Sequence, residues 1–515
     1  MKQIILKSTV GVAVFFGCLM LASASQQKYV TYGEHGAVGD GVTDDLAAIV
    51  KAHAAANEAG LPVKAEAGKT YYIGASTQTA QIQTDTDWSD AKFIIDDTKV
   101  EGRNRNIQIF SITSKLPTAR ITTIPTLKKN QEKLDLSLPQ NALIAVTDNQ
   151  TLRYIRFGPN ENRGSAQTDI FVVDTNGNVD RDTPIIWDFD RISSMTAYPI
   201  DPETLTIKGG QFTRIANQAD TSSYYSRGIS IARSNVVIDG THHVITEEPQ
   251  FHAPYGGFFS ISNCTGIMVQ NCKLSGHKTA YTTTRGDTPW STGTYDLSVG
   301  RANNVTFKNC SQYNDIHDNT RWGILGSNFC KNITLDTVEF SRFDAHQGVT
   351  NATIKNSVLG HQGINLIGHG TFLVENTKVC GGTFINLRSD YGSTFDGEVI
   401  IRNCEFLPRN GARADAVLIG GSNSGQHDFG YTCFMPRKIT IDGLVINDNP
   451  PNDSYPGPKL FGNFNRAFTN EEYVQQFPYV ITKEVEIRNL TIKSGKPLTN
   501  SANPVMFQNV TITKR

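Results

Sequence analysis

The chain has 515 residues and a formal net charge of −1, because 48 Lys and Arg are nearly balanced by 49 Asp and Glu. That balance argues against a general nucleic-acid binder, although a local basic patch can still recognise an acidic polymer. The 8 cysteines lack the tight spacing of a zinc site or a disulfide framework, so neither is expected.

The first residues have the pattern of a secretory signal peptide. Lys2 and Lys7 precede the apolar run VGVAVFFGCLMLA, and the small residues ASAS follow at 22 to 25. The run is too short to span a bilayer as a mature helix, and no later stretch is long and apolar enough to do so. We therefore predict a signal peptide at residues 1–24 and a secreted or periplasmic protein without a membrane span.

Residues 29–80 are predicted to form an N-terminal cap and the first coil of a repeat structure. The turn GDG precedes a helix that should begin near Asp45, with an apolar face from Leu46 and Ile49 and an end at Gly60. Such a helix would cover the open end of a stack of strands, which otherwise exposes an unpaired sheet edge.

Residues 81–200 do not share the repeat of the later chain and are predicted to form an inserted β-rich subdomain. The sequence TDIFVVDTNGNVDRDTPIIWDFD predicts a hairpin around Asn176 and Gly177, because Asn-Gly is a favoured two-residue turn. The sequence TLRYIRFGPNENRG, at 151 to 164, adds another strand and a polar loop. Two roles stay open for this segment: support of the coils, or a contribution to a groove.

From 201 to 515 one pattern recurs, in which alternating apolar residues lead to an Asn and resume after it. The Asn residues stand at 271, 309, 356, 376, 403, 489 and 509, and Gly209, Gly240, Thr337 and Gly443 occupy the same point of related segments. The shortest intervals are 19 residues (337 to 356) and 20 residues (356 to 376). Alternation rich in Val, Ile and Phe indicates strands, and a repeat near twenty residues indicates a solenoid. The pattern predicts a parallel β-helix with Asn at one corner of each coil.

The N-terminal sequence also carries a family resemblance. The stretches GAVGDGVTDDLAAI and AGKTYYI resemble the N-terminal signature of the pectate-lyase-like right-handed parallel β-helix superfamily. Together with the Asn repeat, the resemblance covers the start of the chain and roughly residues 200 to 515. It implies an all-β, single-stranded right-handed parallel β-helix with a capping helix. It implies less about activity, because this superfamily includes lyases, hydrolases, epimerases and phage tailspikes.

Equal offsets from the Asn position should lie on the same face of neighbouring coils. Arg342 and His361 share an offset of five residues from 337 and 356, and His346 and Asn365 share an offset of nine. The offsets predict one face that gathers the basic residues Arg321, Arg342, His346, His361, His369 and Arg388. Nearby polar and aromatic residues are predicted to be Asn365, Asp318, Asp344, Asp390 and Tyr391. The loop at 281 to 295 adds Tyr281, Trp290 and Tyr295 for stacking on sugars.

A face lined by Arg and His suits a uronic-acid polymer, which can be cut by β-elimination. One group must neutralise the substrate carboxylate, a base must remove the C5 proton, and an acid must assist the leaving oxygen. We assign Arg342 or Arg388 to the carboxylate, His346 or His361 to the base and Tyr391 to the acid. The remaining residues of the face, with Trp290 and Tyr295, are predicted to bind substrate.

Two other functions stay open. A glycoside hydrolase of the polygalacturonase type is one, because GHG at 368–370 resembles a motif of those enzymes and Asp residues one or two coils apart can form a catalytic pair. A non-catalytic adhesin or tailspike-like glycan binder is the other. No cofactor is required by the sequence, and Ca²⁺ is possible although no compact run of acidic ligands supports it. The expected partner is an acidic polysaccharide, bound by a monomer.

Overall fold

The computed structural model describes residues 28–286, 288–408, 416–448, 455–470 and 472–515. The predicted signal peptide, residues 1–24, lies outside the described residues. Within them no helix is both long enough and apolar enough to cross a membrane. In the described ranges, helical structure is confined to the α-helix Leu46–Ala59 and to the short 3-10 turns Gly33–His35, Gly102–Asn104 and Ser389–Tyr391.

The helix Leu46–Ala59 covers the first coil, as predicted. Leu46 and Ile49 are fully buried against that coil, and Gly60 ends the helix with a left-handed φ of 67°. The Leu46 N–H donates to Asp44 Oδ1 at 3.1 Å, which satisfies one of the free N–H groups at the helix start. The cap therefore removes the edge that a stack of strands would expose.

The remaining chain winds into coils whose strands pair in parallel with the coils above and below. Among the described residues, one continuous sheet holds 27 strands. Its strands are Val30–Thr31, Asp40–Asp44, Val63–Lys64, Thr70–Ile73, Ala80–Ile82, Thr86–Asp96, Phe110–Thr113, Leu205–Ile215, Ile229–Ala232, Val236–Asp239, His242–Thr246, Gly256–Ser262, Thr265–Gln270, Lys273–Leu274, Tyr295–Gly300, Asn303–Lys308, Ser311–Gln312, Leu325–Asp336, Glu339–Phe340, Gln347–Lys355, Val358–Leu359, Gly368–Glu375, Lys378–Gly381, Phe395–Pro408, Lys438–Ile446, Glu484–Ile492 and Thr511–Lys514.

A second parallel sheet has six strands among the described residues. Along the chain, each of these strands lies between two strands of the large sheet. Its strands are Phe343–Asp344, Ile364–Leu366, Thr383–Leu387, Val417–Gly420, Lys459–Phe461 and Thr499–Ser501. Two small ribbons complete the coils: an antiparallel pair, Ala280–Thr282 with Trp290–Thr292, and a parallel pair, Cys433–Phe434 with Tyr479–Val480. Apolar residues at alternate positions point inward and form one continuous core along the stack.

The Asn corner is confirmed. Asn309 Nδ2 donates to Asn271 Oδ1 at 2.7 Å, and Asn376 Nδ2 donates to Asn356 Oδ1 at 3.2 Å. These residues have φ between 46° and 54°, the left-handed region that Asn tolerates. Where Thr337 interrupts the series, Asn356 Nδ2 donates instead to Asp336 Oδ1 at 3.0 Å.

The last predicted repeat, at Asn509, is wrong. The final strand is Thr511–Lys514, and it pairs with the residues that precede Asn489 rather than with those around it. Residues 504–509 form turns instead of a strand. Met506 and Phe507 explain the change, because both are buried and the Phe507 ring stacks on Phe461 with centroids 4.5 Å apart. These side chains cover apolar surface at the end of the stack, which a further strand would leave exposed.

The inserted subdomain begins later than predicted. Residues 80–82, 86–96 and 110–113 are strands of the large sheet, so the predicted start at 81 is too early. The insertion consists of an antiparallel sheet with strands Ala119–Arg120, Ala142–Arg153, Ser165–Val173 and Ser194–Pro199. It has a hydrophobic core of its own. The predicted hairpin is present, but its turn is centred on Thr175 and Asn176, one residue earlier than expected, with the Gly177 N–H donating to Asp174 O at 3.1 Å.

A buried ion pair joins the insertion to the coils. Lys331 Nζ lies 2.8 Å from Asp169 Oδ1, and both side chains are almost fully buried. The segment that follows strand Ala142–Arg153 then crosses the large sheet. Tyr154 lies so close to Gly348 that a Cβ there would overlap its hydroxyl. The insertion is therefore fixed against one face of the coils, and Tyr154 marks the line of contact.

Candidate functional site

Two adjoining cavities form a groove along the face where coil lengths differ. The first cavity has a volume of about 530 Å³ and lies over the strands Gly256–Ser262, Tyr295–Gly300 and the start of Leu325–Asp336. The second cavity, of about 590 Å³, lies over the six-stranded sheet. Trp322 and Arg388 line both cavities, so the two are continuous. We refer to them together as the groove; its size suits several sugar units.

Glycines create the space for the large side chains at the centre of the groove. A Cβ at Gly323 would overlap Arg342, and a Cβ at Gly293 would overlap the Trp322 indole. The close approach places the Arg342 guanidinium carbon 5.2 Å from the Trp322 ring centroid and 5.9 Å from that of Tyr295. Arg342 is only 3% exposed, so this stacked arrangement is fixed by packing.

A buried carboxylate organises the arginines. Asp344 is fully buried; its Oδ1 accepts from Arg388 at 2.6 Å, and its Oδ2 pairs with Arg342. Arg388 also bonds to Asp390 at 2.7 Å, and Arg156 of the insertion reaches the same Asp390 at 3.0 Å. Burial alone would raise the pKa of Asp344, but the charges of Arg342 and Arg388 outweigh it and lower the pKa to about 2. Three guanidinium groups thus share two carboxylates.

His346 lines the first cavity, together with Arg388, which both cavities share. Its Nδ1 is 3.1 Å from Asn328 Oδ1, and its Nε2 is 3.4 Å from the Tyr391 hydroxyl. Burial, together with the charge of Arg388, lowers the pKa of His346 to about 4, so the ring is neutral at pH 7. Since the Asn328 oxygen can only accept, this contact puts the proton on Nδ1 and a lone pair on Nε2.

Arg285 supplies a further positive charge from the hairpin that forms one wall. It donates to Ser222 Oγ and Asn160 Oδ1, both at 3.1 Å, and its guanidinium lies 6.0 Å from the Trp290 ring centroid. Both hydrogen-bond acceptors are neutral, and no ion pair neutralises Arg285 within the described part of the chain. Across all described lining residues of the first cavity there is no Asp or Glu.

A buried ionic network lies beneath the first cavity. His277 donates to Glu248 through Nδ1 and to Asp296 through Nε2, both at 2.9 Å, and Asp296 also bonds to His243 at 2.8 Å. Burial would lower the pKa of His277, but the two carboxylates outweigh it and raise the pKa to about 9. His277 is therefore a buried cation at neutral pH. The backbone carbonyl of His277 accepts the backbone N–H of Trp322 at 2.8 Å, which links the network to the groove.

Most of the predicted site residues meet in the groove. His346, Arg388, Trp290 and Tyr295 line the first cavity, and Arg342, His361, Asn365, Arg388 and Asp390 line the second. His361 is 7% exposed, and its Nδ1 donates to Ile316 O at 3.0 Å. Asp344 lies just behind the surface, as the bridge between the two arginines.

Several predicted positions need correction. Tyr391 is 1% exposed and lies behind His346, so its hydroxyl has no direct path to a substrate. Arg321 donates to Gly276 O at 2.8 Å and pairs with Asp318, and neither residue lines the groove. Tyr281 is likewise absent from the lining. Arg342 does line the groove, but its guanidinium already forms an ion pair with Asp344 and is therefore not free to bind a substrate carboxylate.

His369 lies outside the groove, contrary to the prediction. Its strand pairs His369 with Thr350 and Asp396, beyond the point where Tyr154 crosses the sheet. The ring packs edge-on against Trp187 of the insertion, with centroids 5.1 Å apart. His369 stands thirteen residues after Asn356, and its strand partner Thr350 stands thirteen after Thr337 and only four after His346. The Tyr154 crossing at Gly348 lies between these two positions.

Several lining residues come from outside the repeat, where offsets from the Asn positions predict nothing. Arg156 and Asn160 come from the insertion, Ser222 and Tyr224 from an earlier loop, and Arg285 from the tip of the hairpin. Trp322 could have been predicted from the sequence, because it lies in a long excursion of the solenoid and aromatic residues in such excursions often line the binding face. No group of three or more His, Cys, Asp and Glu suited to a metal ion occurs in the part of the chain that the structure describes.

Comparison with known proteins identifies the fold. No protein-family model and no curated protein matches the sequence. The tailspike gp61 of Pseudomonas phage phi297 matches with a TM-score of 0.55 at 12% identity, over 92% of this chain and 84% of that one. The Gp54 tailspike of Acinetobacter baumannii bacteriophage AP22, solved with a capsular saccharide, matches with a TM-score of 0.51 at 10% identity, over 95% and 79%. At this identity the likeness concerns the fold alone, and it confirms the predicted right-handed parallel β-helix.

Proposed function

We propose, taking the chain as a right-handed parallel β-helix of the pectate-lyase-like superfamily, that it is a polysaccharide lyase acting on a uronate-containing glycan. The observation that carries the proposal is the first cavity, which combines Arg156, Arg285 and Arg388 with a neutral His346 and, among its described lining residues, no carboxylate. A cationic cavity attracts a polyanion, and guanidinium groups pair well with carboxylates.

The arginines would hold the uronate carboxylate and make the adjacent C5 proton more acidic. In β-elimination that proton leaves, a double bond forms between C4 and C5, and the C4–O bond breaks. Negative charge develops on the carboxylate side of the transition state, where Arg285, which has no ion-pair partner among the described residues, would stabilise it directly. Arg388 is already shared by Asp344 and Asp390, so it would contribute its charge to the cavity rather than a free guanidinium. Arg342 acts indirectly, because it fixes Asp344 and thereby the position of Arg388.

His346 is the proposed base. Its ring is neutral at pH 7, and the lone pair on Nε2, which the Tyr391 hydroxyl approaches at 3.4 Å, would take the C5 proton once the ring turns from that long contact towards the substrate. A bound uronate carboxylate places negative charge beside the ring, which raises the pKa of His346 and makes it a stronger base. We assign the protonation of the leaving oxygen to Tyr295, which lines the same cavity. The other phenol of this cavity, Tyr224, already donates to Gly293 O at 2.8 Å. Tyr391 would hold the His346 ring in its resting orientation through the contact with Nε2.

A glycoside hydrolase is less well supported in this groove. Hydrolysis needs two carboxyl groups about 5 to 9.5 Å apart. Among the described lining residues Asp390 is the one carboxylate, and it is already paired with Arg156 and Arg388. Glycan binding without catalysis has more support, because the aromatic and arginine side chains of the groove serve binding equally well.

The test is a turnover assay on polygalacturonate, alginate and hyaluronate. Ultraviolet absorbance of the unsaturated uronate and the number of new reducing ends are recorded together. The proposal expects one polymer to give both signals in equal amounts, unchanged by EDTA because arginine takes the role of a metal. New reducing ends without the absorbance identify a hydrolase. Binding with neither signal identifies a glycan-binding protein, and either result overturns the proposal.

A further inference from the structure

A third cavity, of about 500 Å³, lies between the insertion and the coils. The crossing segment separates it from the groove: Arg153 and Tyr154 line the third cavity, whereas Arg156 lines the first. The Arg153 guanidinium lies 4.7 Å from the Trp187 ring centroid and donates to Gln167 Oε1 at 2.8 Å. The wall on the insertion side is therefore built from residues that packing and hydrogen bonds hold in place.

The charges around the third cavity balance, unlike those of the first. Its described lining has the cations Lys129, Arg153, Arg191 and Arg437 and the carboxylates Asp148, Asp188, Asp190 and Asp396. Arg437 pairs with Asp396 at 2.7 Å, and Arg191 approaches Asp148 at 3.7 Å. A cavity without net charge gives no electrostatic advantage to a polyanion.

Among the described residues, Trp187 and His369 bring polar ring groups without a partner to the lining of this cavity. The two rings meet edge to face, and both line the third cavity. Neither the indole N–H nor a ring nitrogen of His369 has a hydrogen-bond partner among the residues that the structure describes. Burial lowers the pKa of His369 to about 4, so at neutral pH its ring offers one donor and one acceptor.

We infer that the third cavity is a second carbohydrate-binding site, and that it takes uncharged sugar units. Its aromatic rings, Trp187 and Tyr431, suit the apolar face of a pyranose. The neutral His369 ring and the indole N–H match hydroxyl groups, which both donate and accept hydrogen bonds. The balanced charges distinguish this site from the cationic groove. The inference is independent of the proposed function, since it requires no chemistry in the groove.

The test is calorimetric titration of the full chain with cellotetraose, maltotetraose, mannotetraose and chitotetraose, each up to about 10 mM, a range that reaches weak single-site affinities. At least one of these uncharged probes is expected to bind. His369→Ala and Trp187→Ala should each weaken that binding by about tenfold. Trp290→Ala is the matched control, because it removes an aromatic ring from the groove alone.

The site also makes a prediction about competition. A saturating concentration of a galacturonate tetramer should leave the binding of the uncharged tetrasaccharide unchanged. The inference is overturned if none of the four probes binds, or if Trp290→Ala weakens binding as much as Trp187→Ala does. His369→Ala decides the case if Trp187→Ala lowers the melting temperature, because His369 makes no hydrogen bond within the described residues that its loss could break.

Discussion

The Asn corner and the groove face belong to the same coils, yet they differ in regularity. At the corner, neighbouring coils superpose residue on residue, and asparagines bond directly from coil to coil. At the groove face, coils differ in length: 38 residues separate Asn271 from Asn309, and 20 separate Asn356 from Asn376. The extra residues form the hairpin and loops that line the groove.

This difference indicates where stability and activity reside. At the regular corner the same backbone conformation and the same side-chain hydrogen bond recur from coil to coil, and its asparagines line none of the three cavities. An irregular face leaves cavities, and it is there that arginines, histidines and aromatic rings collect. Substitutions at the groove surface should change activity more than stability, and substitutions at the corner should do the reverse.

The largest expected effect is on turnover and comes from His346→Ala. Removing the proposed base should lower turnover by about 10²- to 10⁴-fold, the range typical of general acid–base catalysis. The melting temperature should change little, because the ring is partly exposed on the groove floor. The matched control is His361→Ala, which should lower turnover far less. Loss of stability with unchanged activity per folded molecule would show that His346 is structural.

Asp344→Ala is the expected exception, because this substitution at the groove should lower the free energy of unfolding. It would leave Arg342 and Arg388 without their shared buried carboxylate, and removing one partner from a buried ion cluster costs about 3–5 kcal/mol of unfolding free energy. Urea unfolding measures the loss. Asp390→Ala, in a more exposed position, should cost clearly less. Equal losses in the two variants would contradict the buried-bridge account.

The network beneath the groove predicts a pH dependence. His277 has a folded-state pKa near 9, above its ordinary value of 6.5, so its contribution is fully present below pH 6.5 and is lost as the pH rises through 9. Glu248 and Asp296 face it directly, Tyr255 stacks on it, and His243 and His252 border the same carboxylates. The wild type should therefore be more stable than His277→Gln at pH 7, and the difference should shrink at pH 10. A difference that does not vary between pH 7 and pH 10 would rule out a charged His277.

The smallest effect is expected at the corner. Asn356→Ala removes the bonds to Asp336 and Asn376 and places Ala in a left-handed conformation, with an expected cost of about 2 kcal/mol. Asn356→Gly loses the same bonds without the steric strain and should cost about 1 kcal/mol. Turnover per folded molecule should stay at the wild-type level in both. Chemical denaturation and the turnover assay together check this prediction.

The fold could be predicted because its signals are local and repeated. The Asn positions, the alternation of apolar residues and the capping helix each follow from a few adjacent residues, and the structure confirms all three. The start of the insertion could not be placed, because the first coils carry Ser89 rather than Asn at the corner next to Gly209. The repeat signal was therefore absent where the coils begin.

The site could be predicted only in part, for a related reason. Offsets from the Asn column correctly brought Arg342, His346, His361 and Arg388 to one face. They could not reveal Arg156, whose position depends on how the insertion packs against Gly348. Nor could they show that Tyr154 divides the same sheet and leaves His369 on the other side.

The central claim is that the groove recognises the carboxylates of its glycan. It is tested most directly by comparing one uronate polymer with the same polymer after chemical reduction of its carboxyl groups to neutral alcohols. Chain length and linkage then stay constant, and only the charge changes. The account predicts binding and turnover of the native polymer, loss of both on reduction, and weaker binding of the native polymer by Arg285→Ala at low salt. Equal binding of the two polymers by the wild type would contradict it.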